Sequence, residues 1–60
     1  MNFRTLKHKA LEHENKGEYF NAKQCYDEIL KLPTLWRNQR EYAETGIKIV
    51  NELIKSSKVV

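Results

Sequence analysis

The stretch that decides the fold is residues 10–33, ALEHENKGEYFNAKQCYDEILKLP. It holds the end of one helix, a turn centred on Gly17 and a complete second helix. Helix 1 stops at Lys16-Gly17, because glycine reaches the left-handed conformation that ends many helices without the clash a Cβ would bring. The chain then restarts at once. Tyr19, Ala22, Tyr26, Ile29 and Leu30 recur at helical spacing, and Glu18, Asn21, Lys23, Gln24, Asp27 and Glu28 take the other side. Pro33 closes this second helix near Leu32, since the residue before a proline is steered away from helical backbone. The reading is a helical hairpin whose second arm spans about Tyr19 to Leu32.

Upstream, the first arm begins near Asn2 or Phe3 and runs to Lys16, with Asn2 or Thr5 as its cap. Phe3, Leu6, Ala10 and His13 mark its apolar stripe and Leu11 widens it, while Arg4, Lys7, Lys9, Glu12 and Glu14 face solvent. Opposite charges are not paired strongly along this surface, so packing must hold the helix.

Downstream of Pro33 two starts are open for a third helix. Thr34 caps it directly, or Asn38 with Glu41 at the third helical position forms an Asn variant of the capping box. The second is preferred, which makes residues 34–37 a connector and runs the helix from about Gln39 to Ser56. A domain of residues 1–56 results, with residues 57–60 as a frayed tail. Ala43, Ile47, Val50 and Ile54 form one stripe of helix 3, and Tyr42, Gly46, Ile49 and Leu53 form another beside it. Together they make an arc wider than two neighbouring helices normally cover. Either both stripes close into one core, or another polypeptide covers the second, as contiguous exposed apolar patches usually imply. Gly46 costs about 1 kcal/mol relative to Ala in a helix interior. It marks either a close helix approach or a tolerated defect.

Composition narrows the function. A chain of 60 residues buries only about 60% of the surface it exposes unfolded, so small folds of this kind add disulfides, metals or oligomeric partners. Cys25 is the only cysteine, which excludes an intrachain bridge, and its place beside Tyr26 reads as a small buried hydrophobe. The first residues, MNFRTLKHKALEHE, lack the apolar run of a signal peptide, and no segment approaches the length of a membrane span, so a cytoplasmic protein is expected. The formal charge of +3, from 11 basic and 8 acidic residues, permits contact with acidic surfaces without demanding it.

No Gly-rich phosphate loop or nucleophile elbow is present. His8 and Glu12 share a helix face and His13 has Glu14 beside it, but a zinc site needs three or four ligands and their supporting partners. The carboxylates of Glu12 and Glu14, or Asp27 and Glu28, diverge around a helix. No catalytic residue, cofactor or metal is expected. Three helices with a basic balance suit a helix-turn-helix unit, yet residues 46–54 offer mainly apolar groups with Lys48 and Glu52. Only Arg37, Asn38, Gln39 and Arg40 are placed to touch phosphate, so direct nucleic-acid binding is not expected. The residues describe an all-α interaction module, a homo-oligomer with Trp36, Tyr42, Ile49 and Leu53 as partner contacts. Trp36 has a competing role as a lid over the corner between helices 2 and 3.

Two resemblances bear on this. Residues 17–22 (GEYFNA), followed by Tyr26 and Pro33, look like the second half of a tetratricopeptide repeat, but no second copy follows at the expected period, about 34 residues. Over roughly residues 6–50, the order Ala10, Glu14, Gly17, Tyr19, Ala22, Tyr26, Asn38 and Tyr42-Ala43-Glu44 resembles the ANR family of bacterial and phage-borne negative regulators of AraC-type activators. It is similar, more distantly, to PerC-like regulators, through Leu11-Glu12, Gly17, Tyr19, Ala22 and Tyr26. The chain departs from the ANR pattern at Ala22-Lys23, at Tyr26 and Tyr42, and over Gly46 to Val50. The resemblance implies inhibition by direct contact, in which a small helical protein blocks dimerisation or DNA binding of an AraC-type factor.

Overall fold

Asn2 opens the first helix: its backbone is extended, and its side-chain Oδ1 accepts the Thr5 N–H at 2.9 Å, satisfying one of the donors a helix start leaves over. In the computed structural model, which describes residues 2–57, the chain forms α1 (Phe3–Asn15), α2 (Tyr19–Leu30) and α3 (Arg37–Ser57), with no strand among the described residues. The all-α hairpin with a third helix is therefore the observed architecture. Residues 58–60, most of the expected frayed tail, lie outside the described residues, whereas the backbone of residue 57 still belongs to α3.

The end of α1 is a complete Schellman motif. Gly17 has φ +78°, the Glu18 N–H bonds the His13 carbonyl at 2.8 Å, and the Gly17 N–H bonds the Glu14 carbonyl at 3.0 Å. An apolar contact usually ties the two flanks of this motif; here His13 Nδ1 and Glu18 Oε1 meet at 2.6 Å instead. The Glu18 side chain is thereby drawn back toward α1 and does not cap α2.

The ends of α1 and α3 each differ from the sequence expectation by one residue, and two boundaries differ by two. α2 ends at Leu30, not Leu32, because the Lys31 and Leu32 N–H groups tighten onto the Glu28 and Ile29 carbonyls at 3.1 Å. Pro33 denies Leu32 helical backbone, and the freed Leu32 packs against the core. α3 starts at Arg37, not Gln39. The Trp36 carbonyl accepts the Arg40 N–H at 3.0 Å, and Gln39 Oε1 accepts the Trp36 N–H at 3.2 Å. The reciprocal half of a capping box is thus present two residues earlier than the Asn38–Glu41 pair.

α2 lies between the other two helices and supplies half of the buried cluster: Ala22, Cys25, Tyr26 and Ile29, against Leu6 and Ala10 of α1 and Ala43 and Val50 of α3. Cys25 is a buried free cysteine, as expected, and burial with the nearby Glu28 carboxylate pushes its thiol pKa up, away from reactivity. Gly46 is resolved as a close approach. A Cβ there would stand 2.5 Å from Tyr26 Cε1 and Cζ. The Tyr26 ring cannot yield easily, because its hydroxyl donates to Glu14 Oε1 at 2.6 Å. One side chain of α2 thus joins all three helices. Burial, then the Glu14 hydrogen bond, raises the Tyr26 pKa far above that of an ordinary phenol.

Antiparallel packing of α1 on α2 and of α2 on α3 brings residues 2–8 and 30–40 to the same end of a molecule measuring 41 × 17 × 14 Å. α3 has 21 residues to the 12 of α2, so it is longer by about 13 Å at 1.5 Å per residue.

Candidate interaction surface

The four expected contact residues fall in two places. On α3, Tyr42, Ile49 and Leu53 lie within about 40° of one another at 100° per residue, so they do form one strip. The strip is not uniform. Tyr42 is half-buried in an aromatic cluster, its ring centroid 5.9 Å from Phe3 and 6.1 Å from Tyr26, with Lys7 Nζ 5.3 Å above its face. Gly46 is buried. Ile49 is 50% exposed, and Leu53 is half-buried without belonging to the core cluster.

Because Phe3 and Lys7 cover Tyr42, the strip lies on the flank of α3 that faces α1. The two helices make few contacts, and the ring and cation contacts between them gather at Tyr42. One turn beyond Lys7, on the same flank of α1, Leu11 is 40% exposed. Leu11 and Ile49 are therefore exposed on the flanks of α1 and α3 that turn toward each other, with Leu53 further along α3. Leu11 was legible only as a widening of the first stripe; which helix lay across from it was not. The second stripe divides part-way along: Tyr42 and Gly46 are taken by the fold, while Ile49 is exposed and Leu53 stays outside the core cluster.

Trp36 stands apart. It is 73% exposed, the most exposed of the large apolar side chains, and does not act as a lid over the core. It borders a separate groove of about 350 Å³ with Asn2 and Phe3 from the start of α1, Leu32 and Pro33 from the connection, and Gln39 from α3. Just before α3 and thirteen residues from Ile49, it lies about 20 Å from that residue along the helix. Phe20, 62% exposed on the outer face of α2, joins neither place. A single surface aromatic of this kind is ordinary.

The groups on both surfaces are aliphatic, aromatic and guanidinium, suited to non-covalent binding. Among the described residues no three His, Cys, Asp or Glu side chains come together as a metal site, and no helix is long and apolar enough to cross a membrane. Fold and surfaces define an all-α protein in which a helical hairpin carries a third, longer helix. Comparison of the chain with protein-family models, curated proteins and solved structures finds no match.

Proposed function

We propose that the protein is a small negative transcriptional regulator that acts in the cytoplasm by binding an AraC-type activator and blocking its dimerisation or DNA binding. The observation that carries this reading is the exposed end of the α3 strip. Ile49 is exposed and Leu53 lies outside the core cluster, on the flank of α3 that turns toward exposed Leu11, in a molecule whose other apolar α3 side chains pack inward. We read the space between these flanks as an apolar cleft, and in a chain this small such a surface is a place for another polypeptide, either a partner or a second copy of the chain. The resemblance over residues 6–50 supplies the kind of partner, and the cleft supplies a surface to meet it.

The test is sedimentation of the purified protein, alone and with an AraC-type factor, beside Ile49→Asp. Ile49 is half-exposed, so the variant keeps wild-type helicity while the complex, and any self-association through the cleft, is lost. A variant that still binds the factor removes the cleft from the reading, and a wild-type protein that binds no such factor removes the partner. A second reading, a small DNA-binding or PerC-like regulator, draws on the cations near the start of α3. Retention of a promoter fragment that falls steeply with added salt would favour it.

A further inference from the structure

The formal charge of +3 conceals a strong separation. Residues 2–8 and 30–40 contain five cations, Arg4, Lys7, Lys31, Arg37 and Arg40, and no Asp or Glu; all eight acidic residues lie between 12 and 28 or beyond 40. The fold brings those two segments to one end, where Asn2 and Phe3 face the 32–39 corner across the Trp36 groove; Glu28 stands beside Lys31 at this end but does not line the groove. Arg4, Lys31, Arg37 and Arg40 are exposed, and each adjoins in sequence a residue that lines the groove. No helix carries an acidic residue in its first turn. In α1 and α3 arginines stand there instead, against the local helix dipole, an arrangement that helix stability alone disfavours.

We infer that the Trp36 end of the molecule is a docking site for an acidic polypeptide segment that carries an apolar anchor residue. Phe3, Leu32, Pro33 and Trp36 give the groove a mainly apolar wall, with Asn2, Thr34 and Gln39 as its polar members, and it is of a size for one or two side chains. Around it the cations supply the long-range attraction and the guanidinium groups the paired hydrogen bonds that carboxylates accept. A duplex has no side chain to place in such a slot. An acidic segment with an aromatic or aliphatic residue satisfies both the slot and its rim. The inference does not depend on the identity of the α3-cleft partner, since the exposed residue of that surface, Ile49, does not line the groove.

Trp36 is the only tryptophan, so its fluorescence reports directly on the groove. The probe is a short synthetic peptide of Asp and Glu around a central Phe. Its controls are the same peptide with Ala for Phe, the same peptide with Lys for the acids, and single-stranded oligothymidylate. The expected result is a saturable blue shift of Trp36 emission with the acidic Phe peptide. Its affinity falls about tenfold with the Ala peptide, about tenfold again in raised salt, and to nothing with the Lys peptide. Arg37→Glu with Arg40→Glu weakens binding at least about tenfold while helicity is retained, because acidic groups suit the first turn of α3. Equal binding of the Phe and Ala peptides overturns the inference, as does tighter binding of oligothymidylate or unchanged affinity in the double variant. Ile49→Asp leaves the peptide titration as in the wild type, which separates failure of this site from failure of the α3 cleft.

Discussion

The two corners of the molecule solve the same problem of reversing the chain in different ways. At Gly17 the turn closes on itself: a left-handed glycine, two backbone hydrogen bonds and the His13–Glu18 contact satisfy the end of α1 within three residues. The connection over residues 31–36 is longer. It leaves Trp36 exposed and a groove open, and residues 30–40 around it carry cations and no carboxylate, although Glu28 stands beside Lys31. One corner spends its polar groups on the fold, and the other presents them outward. Between the two, the Tyr26 ring on Gly46 keeps the helices in register.

The largest expected effect tests that middle contact. Gly46→Val drives a branched side chain into a ring held by Glu14 and should cost about 3 kcal/mol or more in chemical denaturation, whereas Gly46→Ala should cost roughly 1–2 after its gain in helix propensity. If Gly46→Ala stabilises the protein, the ring is free to move and the junction is looser than its geometry implies. Tyr26→Phe removes the hydroxyl and leaves Glu14 without it, at an expected cost of about 1.5–3 kcal/mol.

The raised Tyr26 pKa adds a pH signature of definite sign. Since the folded value lies above that of the unfolded chain, the contribution is complete below about pH 10 and is lost as pH rises beyond it. Wild-type stability should therefore decline in alkali more steeply than that of Tyr26→Phe.

The corners themselves come next. Gly17→Ala meets no neighbouring atom, so its cost is the backbone strain of φ +78° alone, about 1–2 kcal/mol. Trp36→Ala should change stability by no more than about 0.5 kcal/mol, because the side chain is largely in water. A matching loss at both corners would break the contrast drawn between them. The smallest effect is at Glu18, whose pKa the His13 hydrogen bond lowers. A carboxylate with a depressed folded pKa stabilises above its unfolded value and loses that contribution as pH falls through the folded one. Glu18→Gln should flatten the acid side of the stability profile below about pH 4.5, read by thermal unfolding across that range.

Much of the hairpin was legible because its signals are local. Gly17 after an amphipathic run is a constraint of a single residue on its own backbone, and it placed the end of α1 and the start of α2 closely, whereas Pro33 fixed the end of α2 only to within two residues. The start of α3 was misplaced because Asn38 and Glu41 offered a better-looking box than a tryptophan cap with Gln39 behind it. Side-chain acceptor chemistry favoured the first, and the packing of the connection favoured the second. Tyr42 was read as a partner contact, yet Phe3 and Lys7 cover much of it, and no pattern within α3 announces a neighbour supplied by α1.

The sequence by itself determined three helices, their apolar faces and the turn at Gly17, because periodicity and backbone restriction act over a few residues. Which apolar side chains are sealed and which are left open was decided only by the tertiary structure. So was the gathering of five cations at one end, since residues 2–8 and 30–40 are far apart along the chain and meet only when α1 and α2 pack antiparallel.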